Sequence, residues 1–519
     1  MRWWTILTFI AIALQSGPQT LAHGARGEDV SVESWIYDAL TELSVHGQTH
    51  DLLLHTRPLS RGEIADAVRE YRTAQSEISA GAEIILQRLE DEFREELAPS
   101  IERDHSVRLG IGPTARSDQF HHRVARNRVG FDAIGSITVS DALTSRVRVR
   151  FDSDGRHDSQ FHGKYWKENF TAWVEQAVTV VRWKRFTGAF GREYWRWGRS
   201  TNDAMLMSEN SPPFNGLRLQ YRARNWSYDF HATVLDQMNV SSQDYAGGIG
   251  PAGVADRYLV AHRFNWRPRH NLEFAASEVL VFGGFERPFQ WNYLNPILPY
   301  YWEQLNDNSD DNPLWNFELS WRIRDGLLLY GEWMLDDFQI DFTSEPQQIG
   351  VLLGGTWVPN LADGRLTLNA EYQRINTFVY GQGKPWNRYF HHRDMSGKVI
   401  GIGSNLGTDA DRFTFAPLYH LNEFLDITSR LDYVRRGEND ISDPQNSGVP
   451  KGIPFPSGVV ESELRLSAGT SVRWRGNVVA DATLGYYRVT NLDHVMEHSA
   501  DGVYFQFRLK ALWWKTFGV

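Results

Sequence analysis

The chain reads as an antiparallel transmembrane β-barrel of about 18 strands, preceded by a small N-terminal α-helical segment, and three observations predict this. Strand-length segments alternate apolar and strongly polar residues from residue 143 to residue 513. The chain opens like an exported protein, yet no later run is apolar enough for a membrane helix. Aromatic residues make up 13% of the sequence, with Trp 20, Tyr 20 and Phe 28. That stock suits two aromatic girdles at membrane boundaries.

The alternation is the strongest of the three. In Leu143–Asp152, Leu143, Ser145, Val147, Val149 and Phe151 share one face of a strand. Thr144, Arg146, Arg148, Arg150 and Asp152 share the other, because side chains alternate with period two. Three arginines opposite valines do not make the buried face of a soluble sheet, but they can line a watery lumen while the valines meet lipid. The pattern recurs where Leu217, Leu219 and Tyr221 alternate with Arg218, Gln220, Arg222 and Arg224. It recurs again around Phe317–Arg324, Leu366–Gln373, Leu464–Trp474 and Phe505–Trp513.

Met1-Arg2 followed by the apolar Trp3–Leu14, about a dozen residues, has signal-peptide proportions, with Thr20-Leu21-Ala22 offering a cleavage site. Residues 1–22 are therefore expected to be an export signal. Mean hydropathy is −0.45, which excludes a helical membrane protein but not a barrel, where only every second residue must be apolar. With no cysteine, disulfides, Cys-ligated metals and thiol nucleophiles are excluded. Of the 54 basic residues, 46 are arginine. A GC-rich genome explains much of that bias, and bidentate pairing with carboxylates is the functional alternative.

Residues 29–99 are expected to be helical and to pack against the barrel. Trp35, Ile36, Ala39, Leu40 and Leu43 recur at helical spacing. Ser60 and Glu63 form a capping-box pattern before Ile64, Ala65 and Val68. Ile84, Ile85, Leu89 and Phe93 carry a third stripe, with the acidic run Glu90–Glu96 expected on a solvated side. Residues 105–519 are expected to be strands: about 415 residues at roughly 23 per strand and loop give about 18. Arg324-Asp325-Gly326, Ala362-Asp363-Gly364 and Arg475-Gly476-Asn477 read as tight turns. Ser153–Lys167, Asn239–Asp256, Gly283–Pro313, Gly381–Gly397 and Gly437–Gly458 read as long loops.

Gly283–Pro313 concentrates Trp291, Tyr293 and Trp302 with four further aromatics. Two readings stay open: stacking on sugar rings, or a plug folded into the lumen. Asn306–Asn312 lacks the spacing of an EF-hand loop. His121-His122 and His391-His392 are adjacent pairs whose rings should point to opposite faces of a strand, so no metal site is expected. No catalytic residue, cofactor or nucleic-acid patch is read: there is no Gly-x-Ser-x-Gly elbow, and Gly247-Gly248-Ile249-Gly250 lacks a phosphate loop's context.

Gly188–Leu219 carries a resemblance. Its Gly191-Arg192, Trp197-Gly198, Leu206-Met207-Ser208, Asn210 and Pro212-Pro213 resemble the signature of the Wzi family of outer-membrane capsule-assembly proteins. The resemblance continues in Ser34–Leu40, Arg57–Arg61, Asn405–Gly407 with Asp409–Arg412, and Arg435–Glu438. Arg199-Ser200 departs from the family's usual Pro-Gly, and the chain ends on Phe517-Gly518-Val519 rather than on an aromatic. The resemblance implies an 18-stranded barrel, a helical bundle on its periplasmic side, and a lectin role. Its partners would be capsular or extracellular polysaccharide and outer-membrane lipids, with a monomeric protein. Trp291, Tyr293, Trp302, Arg146, Arg148, Arg150, Arg218, Arg222 and Arg224 are the candidate polysaccharide-binding residues. The alternatives are an anion- or sugar-selective porin and an outer-membrane hydrolase. Some of the charge of these arginines is expected to be balanced by Glu318, Glu371, Asp426 and Asp432, since unpaired buried charge is costly, and the remainder to attract an acidic glycan at the outer mouth.

Overall fold

The computed structural model describes residues 26–47, 52–74, 78–98, 105–119, 126–158, 161, 163, 166–307, 309–337, 347–393, 397–444, 452–474 and 477–518. The expected leader at 1–22, the His121-His122 pair and Arg475-Gly476 lie outside them. Among the described residues, eighteen antiparallel strands close into one barrel. They are β1 (Ser106–Gln119), β2 (Arg126–Ser140), β3 (Leu143–Asp152), β4 (Thr171–Trp183), β5 (Phe186–Glu193) and β6 (Phe214–Arg222). Then come β7 (Trp226–Val240), β8 (Gly253–Arg269), β9 (Leu272–Phe285), β10 (Asn312–Arg324), β11 (Leu327–Asp337) and β12 (Gln348–Trp357). The last six are β13 (Leu366–Ile375), β14 (Ala410–His420), β15 (Leu425–Arg436), β16 (Glu461–Trp474), β17 (Val478–Thr490) and β18 (Ser499–Ala511, continued by Trp513–Gly518).

Each strand pairs with its sequence neighbours, and β1 closes the cylinder against both segments of β18. Closure leaves no unpaired edge. Turns of two to eight residues join strands at one end, and connections of six to 34 residues at the other. The expected turn at Arg324-Asp325-Gly326 is present, with Gly326 at a φ of 80°.

The alternation holds in space. On β3, Val147 is 42% exposed on the outer wall and Arg148 only 4% on the inner. Exposed aromatics follow the short-turn end: Trp183, Phe186, Trp266, Trp321, Trp357 and Trp474. Trp183 stacks on Phe186, which meets Tyr221 edge-on, and Tyr221 packs on Trp226.

Among the described residues, four helices precede the barrel: α1 (Trp35–Val45), α2 (Arg61–Ala74), α3 (Ala80–Glu92) and α4 (Arg94–Leu97). Ser34 and Ser79 cap α1 and α3. The Ser60–Glu63 box is reciprocal: the Ser60 amide donates to Glu63 at 2.8 Å and the Glu63 amide to Ser60 Oγ at 3.2 Å. Leu40, Leu43, Ile64, Val68, Ile85, Leu89 and Phe93 share one core. The acidic run is not simply a solvated face. Glu92 and Glu96 both hold Arg61, and Glu90 pairs with Arg72.

The helices sit on the short-turn end. A Cβ at Gly81 of α3 would lie 1.9 Å from the Gly364 carbonyl oxygen, so only glycine permits this approach. Arg88 donates to Asp426 at 2.7 Å and to the carbonyls of Asn422 and Glu423 at 2.8 Å. The Gly326 amide donates to the Val45 carbonyl at 2.7 Å.

Candidate functional site in the barrel lumen

The lumen has two unlike halves. Against β5–β13 it is packed with apolar side chains. The β5–β6 connection contributes Trp195, Trp197, Met205, Leu206 and Met207, and the β13–β14 connection contributes Tyr380, Tyr389, Phe390 and Ile402. These meet Leu235, Leu259, Ala261, Val279, Val281 and Leu314 of the wall. Polar ties fix the two connections to each other. The Ser208 amide donates to the Ile402 carbonyl at 2.9 Å and the Tyr389 hydroxyl to the Leu206 carbonyl at 2.6 Å. Asp203 accepts from Asn210, Ser404, the Asn405 amide and Arg412.

The signature residues build this plug. Gly191 has a φ of 134°, and a Cβ there would lie 2.1 Å from the Ala177 carbonyl oxygen. Arg192 donates to Asn215 at 3.1 Å. Trp197 is buried against His231 and under the Arg263 guanidinium. Gly198, with φ 132°, donates to the His55 carbonyl at 2.9 Å. Ser208 accepts from Asn210 at 2.9 Å, and Pro212 is buried. Where the family usually has Pro-Gly, Arg199 donates to Ser44 at 3.0 Å and Ser200 to Glu371 at 2.9 Å.

The other half is open. Beside β1–β3 and β16–β18 lies a cavity of about 2560 Å³, reaching from Arg128 and Asp158 at the long-loop end to Arg94 and Phe517 at the short-turn end. Residues 28–38 form one wall of it.

Five of the six candidate arginines face the lumen, but their charge is met inside the protein. Arg146 pairs with Glu28 at 2.7 Å. Arg148 and Arg150 each pair with Asp132 and Glu175. Arg218 lies 2.6 Å from Asp29 and 2.9 Å from Glu193, and Arg222 reaches Glu63 at 2.5 Å. Arg224 is exposed in the short turn between β6 and β7. The expected balancing carboxylates serve other groups. Glu318 holds Arg263 and His55, Asp426 holds Arg88, His420 and Arg473, and Asp432 holds Arg430. Glu371 accepts from Ser200, Thr201, Asn202 and Tyr330.

Glu28 and Asp29, which belong to no strand, therefore act as counterions for four wall arginines. Burial would raise the Asp29 carboxyl, but Arg182 and Arg218 outweigh it and hold it below the usual range. For Glu28, burial is likewise outweighed by Arg146 and Arg108. A depressed folded-state pKa gives stability that is full above the unfolded value, about 4, and is lost as pH falls through the folded value. The docked state of residues 26–38 is thus expected to hold at neutral pH and loosen below about pH 4. Protease protection of this segment across pH 7 to 3 measures it. Unchanged protection at pH 3 contradicts it.

The aromatic candidates lie elsewhere. Gly283–Pro313 does not plug the lumen; it folds outward over β7–β9. Register shows this: Leu259, Ala261, Val279 and Val281 point into the lumenal core, so Tyr258, Val260, Leu280 and Phe282 point out. Those outward residues are buried beneath Tyr293 and Tyr300 of the loop. Trp291 is 79% and Trp302 60% exposed on its outer surface, while Tyr293 is fully buried. Trp291 and Trp302 therefore lie on the opposite side of the wall from the lumenal arginines.

His391 and His392 also depart from expectation. A register shift between Phe390 and His392 breaks the alternation, and one ligand atom from each of them and from Asp236 falls within 4.8 Å of the others. Arg257 supplies positive charge there. It donates to the His391 carbonyl at 3.2 Å, and Asp236 offsets its charge.

The plug residues Asp203, Tyr380 and Tyr389 were not singled out by sequence. One signal was present: Val279-Leu280-Val281-Phe282 is apolar without alternation, as befits a strand covered on both faces.

The model of the capsule assembly protein Wzi family matches residues 118–502, most of the barrel and both lumenal connections. The chain belongs to the Wzi family. Among solved structures, Escherichia coli Wzi aligns with a TM-score of 0.62 at 18% identity, over 93% of this chain and 98% of that one. It is described as an outer-membrane protein involved in group 1 capsule assembly and as a carbohydrate-binding β-barrel. Acinetobacter baumannii OccAB4 aligns at 0.45 with 10% identity, over 81% of this chain and 100% of that one. Pseudomonas aeruginosa OccD3 aligns at 0.47 with 9% identity, over 81% and 94%. No curated protein matches the sequence. Wzi membership and the E. coli likeness agree on an 18-stranded antiparallel barrel.

Proposed function

We propose that this Wzi-family barrel sits in the outer membrane of a Gram-negative cell and holds acidic capsular or extracellular polysaccharide at its surface, without cleaving it. On this reading residues 1–22 direct export, the long loops face outward, and the helical bundle of residues 29–99 lies on the periplasmic side of a monomeric barrel. The exposed aromatics at the short-turn end then form one membrane-boundary girdle.

One observation carries the choice of ligand. Strand register sets Arg128 of β2, Arg116 of β1 and Arg508 of β18 side by side, and all three line the cavity. Like charges directly opposite one another on a sheet are destabilising. Asp152 and Asp158 meet the Arg128 charge at 2.6 and 2.5 Å, and Asp481 neighbours Arg508 across the ladder. Guanidinium forks in a row suit carboxylate groups spaced along an acidic glycan. This favours the long-loop mouth of the cavity for the ligand contact, away from Arg222 and Arg224.

The test is retention of the cell's own surface polysaccharide by purified protein. Arg116→Ala/Arg508→Ala should weaken retention at least about tenfold, given the strength of charge-assisted hydrogen bonds. Wild-type retention should fall with added salt. Retention indifferent to both overturns the assignment of the mouth.

A further inference from the structure

We propose that the β9–β10 connection, Glu286–Asp311, is a flap that lies on the barrel's outer wall within the outer leaflet, where its exposed apolar side chains meet lipid acyl chains. This rests on the reading above that the barrel spans a membrane.

The flap covers charge that a lipid-facing wall cannot leave bare. His262 of β8 and Glu278 of β9 point outward, one residue out of phase with the lumenal Ala261 and Val279, and His262 sits near the middle of its strand. They pair at 3.1 Å. The flap completes the site: the Tyr300 and Tyr301 amides donate to the Glu278 carboxylate at 3.0 and 2.9 Å, and the Tyr300 ring stacks on His262 at 4.6 Å. A charge pair facing water needs no such cover. One facing hydrocarbon does, because unsatisfied polar groups there cost several kcal/mol each.

Part of the flap inverts the polarity of a water-facing loop. Its helix, α5 (Tyr300–Asp307), exposes Trp302 and Leu305, whereas Glu303 is half-buried and accepts from Asn292 and Asn306 at 2.9 Å. Trp291 and Ile297 are exposed beside them. Arg287 is turned inward to Asp311, which also accepts from Tyr293. Several polar groups thus satisfy one another while Trp291, Ile297, Trp302 and Leu305 face out, with Glu286, Asn292, Asn295, Asn306 and Asp310 exposed among them.

The exposed face also continues the apolar belt. Tyr301 packs on Trp315 at 5.1 Å and Trp302 lies 6.3 Å from the same ring. Trp315 shares the outward face of β10 with the exposed Phe317, Leu319 and Trp321. Large exposed apolar patches mark interaction surfaces. Continuity with the belt selects lipid over a sugar or a second copy of the chain.

The chain has no cysteine, so single nitroxide labels can be placed without background. Ile297→Cys and Leu305→Cys report on the flap. Leu319→Cys reports on the belt, and Ile249→Cys, exposed in the β7–β8 connection, reports on the aqueous loops. Each labelled protein is reconstituted in phosphatidylcholine–phosphatidylglycerol vesicles. Collision rates with oxygen and with a water-soluble nickel chelate are then compared. The ratio of oxygen to nickel accessibility at 297 and 305 should match that at 319 and exceed that at 249 severalfold. A ratio at 297 and 305 equal to that at 249 overturns the flap assignment while leaving the barrel inserted. Protection from both reagents overturns it in favour of a protein partner. An aqueous ratio at 319 overturns the membrane reading and the flap with it.

Discussion

Replacing Glu28 and Asp29 together with alanine is expected to release residues 26–98 from the lumen and the short-turn end. Arg108, Arg146, Arg182 and Arg218 would then lose their shared counterions inside the barrel. Removing one partner of a buried ion pair costs about 3–5 kcal/mol, because it leaves a buried charge uncompensated. Two such losses approach the whole stability of an ordinary domain, about 5–15 kcal/mol. The barrel wall keeps its own ladder, so the loss should fall on the docked segment. Trypsin should cut within residues 26–98 of the variant at concentrations that leave wild type intact. The remaining barrel should stay folded on unheated gels. Planar-bilayer conductance should rise in step, since residues 28–38 wall the open half of the lumen and an 18-stranded barrel is wide enough to hold an aqueous channel beside the remaining plug. Intact protection and unchanged conductance would sink the counterion role.

Glu318→Ala is expected to have the next largest effect. Its carboxylate, buried on β10, takes a forked contact from Arg263 and a 2.9 Å contact from His55 Nδ1. His55 belongs to the segment whose Thr56 and Arg57 pair with Trp197 and Arg196 of the signature connection. One carboxylate thereby joins wall, N-terminal segment and plug. The expected loss is again about 3–5 kcal/mol, read as a lower temperature at which the folded band on gels converts to the unfolded one. Arg263→Leu/Glu318→Leu should regain much of it, because an apolar pair of similar size leaves no stranded charge. A double variant as unstable as the single one would show that packing, not charge, dominates there.

Different parts of this molecule were legible to different degrees. Barrel strands announce themselves wherever one face meets water-like polarity and the other does not, as in Arg146, Arg148 and Arg150 opposite Val147 and Val149. The Ser60–Glu63 cap was readable because its chemistry is local. The destination of long connections was not. Trp291 and Trp302 look alike whether they stack on sugars, fill a lumen or lie on a wall. Only the register of β8 and β9 shows which side of the barrel they cover. The lumenal arginines were correctly faced but assigned the wrong counterions. Glu28 and Asp29 are more than 70 residues from the nearest arginine they serve, and nothing in the spacing signals that distance. The His391-His392 expectation rested on unbroken alternation, which a register shift removes.

The shared counterions bear on how this barrel can be recombined with its relatives. Residues 28–29 and four wall positions spread over β1, β3, β4 and β6 make up one charge-balanced set. The set is split along the chain but undivided in space. A graft that takes residues 26–98 from a relative with different charges at 28 and 29 imports a mismatch at each of the four arginines. Chimeras should therefore succeed or fail by whether the wall positions travel with the segment, largely regardless of how similar the helices are. Among relatives, the two groups of positions are expected to change together.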